Sequence, residues 1–115
     1  MSARVATADL SIPRGNDRRF LFTVRDADGN LFDLSGATEI RFAIARSVGA
    51  TASITKTLGA GVVLADNNTI QVDVTDTESD DLPVGNNYYD IKVTASNSKE
   101  YTVLVGNMLV EDVRI

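Results

Sequence analysis

Carboxylates are the side chains whose spacing in this sequence invites a chemical reading. Asp73, Asp76, Glu78, Asp80 and Asp81 fall within one short segment, and hard cations such as Ca²⁺ are held by clustered oxygens. That segment is therefore the candidate metal or cation site, and a solvated acidic turn is its competing reading. Asp26, Asp28 and Asn30 repeat the alternate spacing of the first ligands in a calcium loop. Such a loop needs its glycine after the third ligand, whereas Gly29 precedes Asn30, and no Glu closes the loop. A hairpin tip explains these residues better. Facing carboxylates can also hydrolyse glycosides when about 5 to 10 Å apart. Asp73 and Asp90 are the candidates on strand-like segments, and the alternation around each directs it to solvent.

The chain has no His, no Cys and no Trp. It therefore lacks an imidazole base, a thiolate nucleophile, the usual zinc ligands and any disulfide. Its serines have no histidine to activate them. A non-enzymatic protein without a cofactor is expected. Tyr88, Tyr89 and Tyr101 offer an aromatic patch for sugar rings, or else alternate between core and rim. A carbohydrate-binding module using Tyr88, Tyr101 and the acidic segment, with calcium, is thus the alternative to a protein-binding one.

Charge is uneven along the chain. The net charge is -5, and no Lys or Arg occurs between Thr57 and Ile91. A nucleic-acid binder needs a basic face to neutralise phosphates. Arg14, Arg18 and Arg19, next to Phe20, are interrupted by Asp17, so nucleic acid is not an expected partner. No uncharged apolar stretch approaches the roughly 20 residues of a membrane span, and Met1–Leu10 lacks the pattern of a secretory signal. No membrane partner is expected, and synthesis and use in the cytosol are.

The elements that position these residues read as strands. Thirteen Val, seven Ile and eleven Thr supply the stiff β-branched side chains that pack on a pleated sheet. Phe20, Phe22 and Val24 share one face by the two-residue period, as do Ile40, Phe42 and Ile44, then Ile70, Val72 and Val74, then Tyr89, Ile91 and Val93. Asp28-Gly29, Asp66-Asn67-Asn68 and Ser96-Asn97-Ser98-Lys99 supply turns. Gly106 is expected to bend or bulge the chain before a final extended segment from Met108 to Ile115. Residues 76–82 break the rhythm and read as one helical turn, capped by Asp76 or Thr75, with Leu82 plugging the core. Seven or eight short antiparallel strands at this spacing make a sandwich or a small barrel. One domain over residues 9–115, preceded by an extended arm at residues 1–8, is expected.

The order of segments resembles a known group. Phe20-Leu21-Phe22-Thr23-Val24 leads through Asp28-Gly29-Asn30 to Phe32-Asp33-Leu34-Ser35-Gly36-Ala37-Thr38 and an alternating strand. Later come Thr69-Ile70-Gln71-Val72-Asp73-Val74, Leu82-Pro83-Val84-Gly85, Tyr88-Tyr89-Asp90-Ile91-Lys92-Val93, and Val103 to Val110. Over about residues 8 to 113 this resembles the small immunoglobulin-like β-sandwich proteins of tailed bacteriophages, including the N-terminal domain type of baseplate upper proteins and head or neck accessory proteins. The resemblance implies an immunoglobulin-like fold and a structural, protein-binding role in the virion: capsid decoration, head-tail connector, tail or baseplate. It also implies other virion proteins as partners in multiple copies, homo-oligomers among the assemblies, and synthesis in the bacterial host cytoplasm. Met108, Leu109, Val110, Val113 and Ile115 are the expected partner-binding residues, on the premise that the last strand is a sheet edge.

Overall fold

The computed structural model describes residues 6–112. Nine strands and one short helix follow the hydrophobic alternation closely: β1 (Ala6–Thr7), β2 (Leu10–Pro13), β3 (Arg18–Thr23), β4 (Glu39–Ala45), β5 (Ala52–Leu58), β6 (Gly61–Asp66), β7 (Thr69–Val74), α1 (Asp76–Asp80), β8 (Gly85–Thr94) and β9 (Glu100–Glu111). The hydrogen-bonded order is β1-β9-β8-β4-β5-β6-β7-β3, with β2 following β1 along β9. Only two residue pairs join β5 to β6, Thr57 with Gly61 and Leu58 with Val62. The path folds there into two layers. A front sheet comprises β1 and β2, then β9, β8, β4 and β5; a back sheet comprises β6, β7 and β3.

Aromatic contacts prove that the layers face each other. Phe22 of β3 lies 6.4 Å from Phe42 of β4 and 6.3 Å from Tyr89 of β8, centroid to centroid, although these strands are not neighbours in the ladder. Ile40, Phe42 and Ile44, with Ile70, Val72, Val74, Ile91 and Val93, close the core between them. A three-strand sheet of the B-E-D kind against one of the A′-G-F-C-C′ kind is the immunoglobulin-like arrangement. This is the expected all-β sandwich. The expected antiparallel pattern holds for the pairs β3–β7, β6–β7, β4–β5, β4–β8 and β8–β9, whereas β1 and β2 pair parallel to β9 and β5 pairs parallel to β6.

Two details depart from the sequence reading. β9 runs through Gly106 without a bend, and the register slips instead between Ile91 and Lys92. The extra residue lets consecutive Val103 and Leu104 both enter the core. Gly106 serves a different purpose, because a Cβ there would meet the carbonyl oxygen of Ala8 at 1.9 Å. Its missing side chain lets the first strands lie close against β9. Gly36 sits in a turn closed by the Ala37 amide donating to the Leu34 carbonyl at 3.0 Å, without a positive φ.

The helix and its flanks form as the sequence suggests. Thr75 is the N-cap of a capping box: its hydroxyl accepts from the Glu78 amide, and the Glu78 carboxylate accepts from the Thr75 amide. Buried Ser79 donates to the Asn16 carbonyl at 2.8 Å and accepts from the Gly15 amide at 3.0 Å, fixing α1 to the β2–β3 turn. Leu82 fills the core beneath it.

Candidate interaction surface

The acidic segment does not gather. Asp73 points outward from the back sheet and is bonded by Arg19 at 2.8 Å; that hydrogen bond holds its carboxyl below the usual range. The Asp76 carboxylate turns back to accept from the Thr77 amide. Glu78 is ion-paired with Lys56. Burial alone would raise its pKa, but the bonds from Lys56 and the Thr75 backbone and hydroxyl outweigh it, and the net shift is downward. Asp80 lies 3.9 Å from Arg14, and Asp81 is the exposed C-cap of α1. Among the described residues no three His, Cys, Asp or Glu side chains converge as a metal site would require.

Asp73 and Asp90 sit on the outer faces of opposite sheets, so this pair does not span a cleft. Ser-x-x-Lys spacing occurs twice, at Ser53–Lys56 and Ser96–Lys99. The first pair lies three residues apart on β5 and so on opposite faces, with Lys56 engaged by Glu78; the second lies in the β8–β9 turn. The tyrosines also part company. Tyr88 points outward from the front sheet, half exposed; Tyr89 is buried among Phe22 and Phe42; Tyr101 packs edge-on against Phe32. Tyr101 pairs with core-facing Val93, placing it on the face opposite Tyr88.

The expected partner-binding strand is corrected by the sheet order. β9 is flanked by β8 on one side and by β1 and β2 on the other, and β2 pairs with it from Met108 to Glu111, so the expected stretch offers no free edge. Met108 and Val110 are core residues, and only Leu109 reaches solvent. Val113 and Ile115 lie outside the described residues. Of the expected arm, Ala6–Thr7 is a strand on β9, and the Ala8 amide donates to Val105 at 3.3 Å. Hydrogen bonding to β9 outweighs an extended conformation in solvent for these residues.

What the fold does present is a groove of about 650 Å³ on the outer face of the front sheet. Register explains its shape. Ala45 lies between Ala52 and Tyr88, and Asn107 follows; Ala43 lies between Thr55 and Asp90, and Val105 and Thr7 follow. Small residues at the centre make a floor, and larger ones make walls. Arg41 approaches Asp90 at 3.9 Å on one side, while Tyr88 and Asn107 stand on the other. The β4–β5 turn closes one end with Val48, 84% exposed. Asp9 lies at the rim near Asn107, with its carboxylate 3.4 Å from the Asn107 side-chain nitrogen. The signal was present as Ala43, Ala45 and Ala52 at outward positions of adjacent strands, but alternation alone reads such positions simply as solvent-facing.

No protein-family model and no curated protein matches this chain. Solved structures do resemble it in shape. A chain in the crystal structure of MtrC from Shewanella baltica OS185 is 16% identical with a TM-score of 0.52, over 89% of this chain and 22% of that one. This chain thus spans about a fifth of that protein, and the likeness concerns the fold alone. The fibronectin(III)-like modules of CbhA from Clostridium thermocellum match over 98% of both chains at 7% identity and a TM-score of 0.48. The chain's own strand order and facing sheets define its class, an immunoglobulin-like β-sandwich module.

Proposed function

We propose that this module is a non-enzymatic structural protein of a tailed-phage particle, binding a neighbouring virion protein through the front-sheet groove. The groove itself is the observation that carries the binding role: it combines an alanine floor, exposed Tyr88 and Val48, and charged groups at its walls. Such a shape suits an extended segment of the neighbour, with a large apolar side chain over Ala43 and Ala45 and a basic group toward Asp9. The phage setting comes from the resemblance of the ordered segments and implies synthesis in the host cytoplasm followed by incorporation into virions.

Tagged chain supplied during particle assembly tests both parts. Wild-type chain should co-purify with particles, and Ala45→Arg, which fills the groove from an outward position, should reduce incorporation about tenfold, the loss of about 1.4 kcal/mol of binding. Failure of the wild type to co-purify would overturn the virion role. Equal incorporation of both chains would overturn the groove. A sugar ligand is the second reading, favoured by half-exposed Tyr88 beside Asp90 and Asn107. Saturable glycan binding that Tyr88→Ala abolishes would replace the protein partner with a carbohydrate.

A further inference from the structure

β3 is the outer strand of the back sheet. It pairs with β7 from Arg18 to Thr23, and among the described residues no strand pairs on its other side. The Val24 amide donates to Asn68, on the β7 side. Backbone groups of an antiparallel strand alternate between its two sides, so the N–H and C=O of Arg19, Leu21 and Thr23 face the open edge. Natural sheets commonly guard such an edge with Pro, a bulge or an inward-pointing charge. From Leu21 to Thr23 β3 has none of these: its register is unbroken, its inward residues there and just before are Phe22 and Phe20, and Leu21 is 60% exposed; its charges, Arg18 over the Phe20 ring and outward Arg19, stand at the start of the strand.

We propose that a second copy of this chain pairs along this edge, β3 against β3, antiparallel about a two-fold axis at Leu21. The phase of the outward backbone groups allows few registers. Leu21 opposite Thr23 would set Arg19 against Arg25 of the second copy, a like-charge contact that destabilises a sheet. Leu21 opposite Arg19 shortens the overlap and leaves Arg25 without an opposing acid. Leu21 opposite Leu21 covers both exposed side chains, sets Arg19 against Thr23, and brings Asp17 toward Arg25 at each end of the ladder. Neither Asp17 nor Arg25 is in an ion pair among the described residues; Asp17 accepts from the Asp76 amide and Arg25 donates to the Gly29 carbonyl. The interface is isologous and closed. Its sheet runs β6-β7-β3-β3-β7-β6, and the groove on the opposite layer stays open in both copies.

Because the chain has no native Cys, single thiols report the register. In a hydrogen-bonded antiparallel pair the Cα atoms are about 5.5 Å apart, within reach of a disulfide or a short thiol cross-linker. Leu21→Cys should cross-link to itself about tenfold faster than Thr23→Cys does, because pairing concentrates the two thiols. Thr23→Cys mixed with Arg19→Cys should cross-link as a pair. Light scattering over a concentration series should show wild-type mass rising from 12.3 kDa toward twice that value. Leu21→Lys, at an exposed position, should remain monomeric throughout and should match the wild-type melting temperature at the dilute end of the series, where the wild type is itself monomeric. A wild type that is monomeric throughout the series, or equal self-cross-linking at positions 21 and 23, would overturn the proposal.

Discussion

The Tyr89 side chain meets four neighbours at once: its ring packs on Phe22 and Phe42, lies opposite Gly106, and its hydroxyl donates to the Ala8 carbonyl at 2.5 Å. Burial, reinforced by the Asp9 carboxylate, pushes its pKa from 10.0 to about 12. The folded state therefore retains a proton that the unfolded chain releases. This contribution to stability is complete below the unfolded value and is lost as pH rises from about 10 through about 12. Tyr89→Phe keeps the ring and removes the hydrogen bond, so it should cost about 1 kcal/mol at neutral pH. It should also flatten the alkaline limb of a urea-midpoint series relative to wild type. Parallel alkaline limbs would mean that another group controls this loss. Alternation with Ile91 and Val93 made the inward direction of Tyr89 legible. Its bond to a residue 81 positions away was not, because sequence periodicity holds no information about which backbone carbonyl a buried hydroxyl meets.

Contacts between elements explain both what was legible and what was not. The long strands and α1 carry strong local signals: two-residue alternation in β4, β7 and β8, and a Thr-x-x-Glu capping pattern before the helix. β1 and β2 span two and four residues, too short for a period, and their place on β9 depends on the open space at Gly106. Gly106→Ala should push Ala8 away, destabilise the protein by about 1–3 kcal/mol, and remove hydrogen-exchange protection first at the Ala8 amide. Unchanged protection there would show that the backbone accommodates the methyl group without moving β1. Lys56 supplies a second contact between elements. Its stem passes over Gly61, where a Cβ would lie 2.5 Å from Lys56 Cδ, and its ammonium reaches Glu78 on α1. A double-mutant cycle with Lys56→Met and Glu78→Gln should give a coupling of about 1 kcal/mol at neutral pH. Since the Glu78 pKa is lowered from 4.5, that contribution is present above the unfolded value and is lost as pH falls through the folded one. A coupling that persists unchanged in acid would assign it to packing of the Lys56 stem.

At the scale of the whole molecule, folding cancels much of the charge asymmetry seen along the chain. The segment from Thr57 to Ile91 is purely acidic, yet Asp73, Asp80, Glu78 and Asp90 each lie beside a base from the first half: Arg19, Arg14, Lys56 and Arg41. An acidic run in sequence is therefore weak support for a basic docking partner, since the sandwich places the two halves of the chain against each other. Two electrostatic effects then oppose one another. A net charge of -5 repels itself, and salt should relieve that repulsion and stabilise the fold. The four long-range ion pairs are attractive, and salt should weaken them as the Debye length falls from about 10 Å at 0.1 M to about 3 Å at 1 M. Exposed pairs contribute about 0.2–1 kcal/mol each, while the remaining unpaired charges are spread over a body 47 Å long, where ordinary salt already screens most of their repulsion. Loss of the pairs should win. Raising sodium chloride from 0.1 to 1 M at neutral pH should lower the stability by about 1–2 kcal/mol, read from urea midpoints, and Lys56→Met should show a smaller salt effect than wild type. A rise in stability with salt would mean that self-repulsion dominates and that the acidic half remains electrostatically exposed.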